Sequence, residues 1–91
     1  MIKQRVLSVG SSSPVELTIN EEINLAATVV IQNHSTSDSL YIGNQNVTTT
    51  DYGILIYPES VFSIELSNTD RLYGVSSGTT TKVTVLILDK Q

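Results

Sequence analysis

Ninety-one residues make one small domain, and a chain of this size buries only about 60–65% of its unfolded surface, so its core is modest. Five Lys and Arg against nine Asp and Glu give a formal net charge of −4, which argues against the clustered positive surface that tracks nucleic-acid phosphates. Cysteine is absent, excluding disulfides and thiolate metal sites, and only 15% of residues are charged, against about 25% on average, with Ser, Thr and Asn supplying polarity instead.

Ile2–Val9 reads as a strand with Val6 and Ser8 on one face and Leu7 and Val9 on the other. Gly10-Ser11-Ser12-Ser13-Pro14 breaks it. Residues 1–14 are therefore either a first strand of the sheet or an arm on a Gly/Ser linker, with 15–91 a single β domain. Val15–Ile19 alternates strictly, with Val15, Leu17 and Ile19 inward. Asn20-Glu21-Glu22 has the chemistry to cap a single helical turn, but Ile23–Ala27 is too short to stand as a helix. Val29-Val30-Ile31 and Leu40-Tyr41-Ile42 flank the polar run Asn33 to Ser39, and Gly43 stops the second of them. The pair is expected to form an antiparallel hairpin. A Thr-rich link from Val47 to Thr50 leads to Gly53.

Ile54–Tyr57 is apolar on both sides, so one face is expected to meet the core and the other a neighbour. Pro58-Glu59-Ser60 turns the chain. Val61–Leu66 alternates with Phe62, Ile64 and Leu66 inward. Ser67–Asp70 is a turn, and Arg71–Val75 a strand ended by Ser76-Ser77-Gly78. Lys82–Leu88 puts Val83, Val85 and Ile87 on one face and Thr84, Leu86 and Leu88 on the other. A strand apolar on both faces is either central in its sheet or covered by another subunit. About eight short strands rich in Val, Ile and Thr predict an all-β fold, a small antiparallel β-sandwich or jelly-roll-like barrel.

No catalytic constellation is legible. His34 is the sole histidine, and its neighbours Ser35, Ser37 and Asp38 are residue types that make turns. Asp38, Asp51 and Asp70 lie near turns with Asn44, Asn46 and Asn68, but the spacing of a calcium loop is missing. The five glycines form no nucleotide-binding pattern. The reading is of a protein that is not an enzyme, with no catalytic, cofactor-binding or metal residues and no cofactor. Tyr41, Tyr57 and Tyr73 are candidate interface residues, because tyrosine is enriched at interfaces, and with Tyr52 they are the candidate members of a stacking platform. Ile2, Lys3 and Arg5 of the opening segment are candidate anchors to a partner chain. No apolar run reaches the roughly 18 residues that span a bilayer, and the opening residues lack a signal-peptide core. Synthesis in the cytoplasm with no membrane partner is the expectation, and oligomerisation is the natural supplement to so small a core.

The run Val29–Leu88 resembles small structural proteins of tailed bacteriophages. The matching residues are Ile31-Gln32-Asn33, Leu40-Tyr41-Ile42-Gly43, Val47-Thr48, Gly53, Pro58-Glu59-Ser60, Phe62–Leu66 and Leu72–Val75. The turn Pro58-Glu59-Ser60 departs from that pattern, which often has glycine there. The resemblance brings no catalytic residues. It implies a virion structural role on the capsid surface in a particle made in the host cytoplasm, most readily a capsid decoration (cement) protein. Such a protein would act as a homotrimer and bind the major capsid protein or other virion proteins. The alternative it leaves open is a fibre- or tail-associated receptor- or carbohydrate-binding module.

Overall fold

The structure, a computed structural model, describes residues 2–18 and 26–90. The expected helical turn at Asn20–Glu22 and the inward Ile19 lie outside the described residues. Eight strands are present: β1 (Ile2–Val9), β2 (Val15–Glu16), β3 (Ala26–Asn33), β4 (Leu40–Gly43), β5 (Ile54–Ile56), β6 (Val61–Ser67), β7 (Tyr73–Ser76) and β8 (Thr81–Lys90). They make two four-stranded antiparallel sheets, sheet A in the order β1-β8-β3-β6 and sheet B in the order β2-β7-β4-β5.

The pairing has a simple rule. β1 pairs with β8, β2 with β7, β3 with β6 and β4 with β5. The chain is thus one long hairpin folded between β4 and β5. Rolling that hairpin adds the pairings of β3 with β8 and of β4 with β7. This wrapping is a jelly-roll connectivity in a small two-sheet antiparallel β-sandwich, the fold expected from the sequence.

Alternation sets the core. Val83, Val85 and Ile87 of β8, Val29 and Ile31 of β3, and Leu40 and Ile42 of β4 face one another between the sheets, all essentially inaccessible to solvent. Leu66 joins them from β6, with Phe62 and Ile64 packed against the cluster. β8 runs between β1 and β3; its Val83, Val85 and Ile87 enter the core, and its Leu86 and Leu88 stand half-buried on the outward face. Ile2–Val9 is paired with β8 over its whole length, so it is a strand of the sheet and not a detached arm.

The expected hairpin of Val29–Ile31 with Leu40–Ile42 is not formed. β3 lies in sheet A and β4 in sheet B. The polar run between them crosses from one sheet to the other. Packed in opposite sheets, Val29, Ile31, Leu40 and Ile42 bury their side chains against each other, whereas hairpin partners would share one face and need a separate cover. The crossing is fixed by Asn33, which is fully buried. Its Nδ2 donates to the carbonyls of Asp38 (2.9 Å), Ile56 (3.3 Å) and Tyr57 (3.3 Å), and its Oδ1 accepts from Ser35 N at 3.0 Å. One amide therefore ties the end of β3 to the end of β5 in the other sheet.

Two further strands differ from expectation in length. The segment beginning at Val15 leaves its ladder after Glu16, yet Leu17 and Thr18 remain fully buried. Leu17 N donates to Leu72 O at 2.7 Å, and Leu72 N donates to Thr18 Oγ1 at 3.1 Å. β7 begins only at Tyr73, because Arg71 is spent on the preceding turn. Its Nη1 donates to the carbonyls of Asn68 and Asp70, and its Nε lies 3.4 Å from Glu16 Oε2.

Candidate functional site

The outward face of sheet A is the first candidate surface. Strand pairing lines up its side chains in rows: Ile2, Leu88, Thr28 and Glu65, then Gln4, Leu86, Val30 and Ser63, then Val6, Thr84, Gln32 and Val61. Ile2 is 68% exposed, Val6 62% and Val61 62%. Val30, Leu86 and Leu88 are half-buried by their neighbours alone. The charged side chains Glu65 and Lys82 lie at the margins of this face. An apolar centre with a polar rim is the anatomy of a protein-binding patch.

The anchors expected from the sequence divide across β1. Ile2 stands on the exposed face. Lys3 and Arg5 belong to the opposite, inward-facing set with Leu7 and Val9, and both are half-buried. Arg5 Nη1 donates to the Leu17 carbonyl at 3.2 Å. Charged residues turned inward on an edge strand are a device that blunts edge-to-edge pairing. β1 is such an edge, so its free surface is its outer face. Strict alternation in Ile2-Lys3-Gln4-Arg5-Val6 already separates the apolar from the basic residues, and Val6, Leu86 and Leu88 follow from the same signal.

The second candidate surface is built by the loop from Gly43 to Gly53, which connects β4 to β5 over the outward side of sheet B. Asn44 Oδ1 accepts from Asn46 N at 2.8 Å, closing an Asx turn. Thr48 Oγ1 accepts from Asp51 N at 2.9 Å, and Thr48 N donates to Asp51 O at 2.8 Å. Gly53 N returns to the Ile42 carbonyl at 2.8 Å. Val47 is the loop's apolar plug, 3% exposed. It seats over Gly43, where a Cβ would stand 3.1 Å from Val47 Cγ2, so a side chain there would press on the plug and require it to shift. These contacts enclose a cleft of about 370 Å³ lined by Asn44, Asn46, Asp51 and Tyr52.

The tyrosines do not form one platform. Tyr41 and Tyr52 meet edge to face, with ring centroids 4.8 Å apart and planes at 60°. Tyr73 lies beside Arg71 in a neighbouring cleft of about 260 Å³. Tyr57 is 64% exposed at the β5–β6 turn. Tyr52 has the least strand-like context of the four, and only the folding-back of the loop brings it onto Tyr41.

The groups around His34 serve the crossing loop. Ser35 Oγ accepts from Ser37 N and Asp38 N. His34 Nε2 is 2.6 Å from Thr84 Oγ1. The Asp38 carboxylate lies against Gly78, in the space a side chain there would fill, and reaches toward Thr81 Oγ1 at 3.5 Å. Asp70 Oδ2 accepts from Ser67 N and Oγ. Asp38, Asp51 and Asp70 are thus separate, and no group of three potential metal ligands forms among the described residues. No helix among them is long and apolar enough to cross a membrane.

The class defined by these observations is an eight-stranded antiparallel jelly-roll domain with one apolar sheet face and one loop-built polar cleft. No protein-family model matches the chain, and no curated protein matches it.

Proposed function

We propose that the protein is a non-enzymatic virion structural protein of a tailed bacteriophage, a decoration subunit that attaches to the capsid's outer shell and stiffens it. The jelly roll alone is shared by capsid, lectin and cupin domains, so it does not carry the reading. The outward face of sheet A does: its apolar centre around Leu86 and Val30 has no cover from the described chain.

Size decides what kind of partner suits it. Four strands about 4.8 Å apart and eight residues of about 3.4 Å each give a face of roughly 500 Å² in projection. A stable one-to-one complex buries about 800 Å² of accessible surface per partner, which would take the whole of such a face, so a single copy has no area to spare. Several copies linked together, held at once on a repeating shell, gain roughly a hundredfold to ten-thousandfold in avidity. Trimerisation and attachment to a lattice of capsid subunits fit that requirement.

Co-sedimentation with capsids of the encoding phage, stripped of accessory proteins, tests the proposal. The native chain is expected to bind, with a solution mass by light scattering of three times 9.9 kDa. The double variant Ile2→Glu/Val6→Glu changes two exposed side chains, so it keeps its fold, as a melting curve checks. It is expected to bind at least about tenfold more weakly, the effect of burying unpaired charge. Undiminished binding by the folded double variant would remove the sheet face from the proposal, and absence of native binding would end it.

A further inference from the structure

We infer that the cleft beneath the Gly43–Gly53 loop is a saccharide-binding site, on the sheet opposite to the apolar face and independent of capsid attachment. Three properties select this ligand class. The lining is mostly polar, with Asn44, Asn46 and Asp51 beside Gly43, Gly53, Val47 and Tyr52, which disfavours an apolar ligand. A carboxylate beside carboxamides pairs with the alternating donors and acceptors of sugar hydroxyls. Among the described residues the Asp51 carboxylate and the Asn46 carboxamide make no hydrogen bond of their own. Asp51, with a net charge of −4 behind it, opposes a phosphate-bearing ligand.

The aromatic partner is Tyr52. It is 42% exposed at the cleft, and its contact with Tyr41 holds the ring in place. A ring already fixed loses little entropy when a ligand stacks on it. Asn46 lines this cleft and both of its neighbours, one of which carries Tyr73 and Arg71.

The test is a titration of the full-length ¹⁵N-labelled chain with methyl glycosides of glucose, galactose, mannose and N-acetylglucosamine, followed by a glycan array. At least one glycoside is expected to shift amides within Gly43–Gly53, with a dissociation constant of about millimolar strength, ordinary for a single open contact. Tyr52→Ala and, separately, Asp51→Ala are expected to weaken binding by roughly tenfold, while Tyr52→Phe retains it. Ile2→Glu/Val6→Glu is expected to bind the glycoside as the native chain does. The inference is overturned if no glycoside or arrayed glycan binds, if affinity is unchanged in both alanine variants, or if inorganic phosphate produces the same shifts. Glycoside binding lost in the β1 double variant would overturn the location. Failure on any of these grounds leaves capsid binding by sheet A untouched, and the two results are read on separate variants.

Discussion

Sheet A runs on strands of seven to ten residues, whereas the strands of sheet B are two to four residues long. Both sheets contribute to one core, so the difference lies in how the backbone is satisfied. In sheet A the ladders between β1, β8, β3 and β6 supply most of the partners. Around sheet B, side chains supply many of them: Asn44 Oδ1, Thr48 Oγ1, Thr18 Oγ1 and Ser77 Oγ each accept from a backbone N–H. A long ladder resists change at any one residue, because its neighbours hold the register. A short strand held by side-chain bonds leaves its loop free to take a shape of its own. The division puts the long ladders in sheet A and the side-chain-held loops around sheet B.

The largest expected effect tests the stability half of that division. Ile87→Ala removes a fully buried side chain at the centre of sheet A and is expected to cost about 2–5 kcal/mol. Ile54→Ala, on a 38% exposed residue of edge strand β5, is expected to cost less than about 1 kcal/mol. Chemical denaturation of both variants makes the comparison. Equal losses would mean that burial between the sheets, which Ile87 has and Ile54 lacks, does not set the cost.

The second prediction concerns the tie between the sheets. Asn33→Ala removes the donor to the carbonyls of Asp38, Ile56 and Tyr57, of which the last keeps Ser60 N, and is expected to cost about 1–3 kcal/mol, the range for buried polar groups left unpaired. Asn33→Asp keeps the shape but turns an acceptor towards those carbonyls. Burial and carbonyl oxygens favour the protonated acid, so the folded-state pKa of that carboxyl is raised above its unfolded value. Stability is then retained at pH below the ordinary carboxylate range and lost as pH rises through the raised folded value. Denaturation midpoints of Asn33→Asp measured from pH 3 to pH 8 check the sign. A variant equally stable at both ends would show that the amide's donations do not hold the sheets together.

How much of the fold is legible in the sequence depends on the range of the signal. Val83, Val85 and Ile87 separate from Thr84, Leu86 and Leu88 because alternation is local and the sheet obeys it strictly. The inward set Phe62, Ile64 and Leu66 emerges for the same reason. The sheet to which each strand belongs is not legible. A polar run such as Asn33–Ser39 suits a hairpin loop and a crossing between sheets equally well, and the deciding contacts join Asn33 to Ile56 and Tyr57, more than twenty residues away. Val47 reads as part of a Thr-rich link, and its burial depends on a glycine four residues earlier and on the loop folding back. The cleft at Tyr52 follows from that folding and has no pattern in the sequence beyond turn-forming residues. Alternation likewise separates the basic residues of β1 from Ile2, placing Lys3 and Arg5 half-buried in the inward set.

The smallest predicted effect sharpens the comparison at the turn that carries the chain from sheet B back to sheet A. Ser60 N donates to Tyr57 O at 3.1 Å across Pro58 and Glu59, and Glu59 has φ of 62°. Proline at the first central position and a left-handed residue at the second match a type II turn, where glycine is the favoured occupant. Glu59 is the non-glycine residue with positive φ among the described residues, and its side chain strains the backbone by about 1 kcal/mol. Glu59→Gly relieves that strain but adds freedom to the unfolded chain, which returns a part of the gain. The net expectation is a stabilisation of less than about 1 kcal/mol, read as a small rise in the denaturation midpoint with an unchanged slope. Glu59 N also donates to Ser35 O at 3.0 Å, a bond glycine keeps, so any loss of stability would show that the glutamate side chain supports the crossing between the sheets.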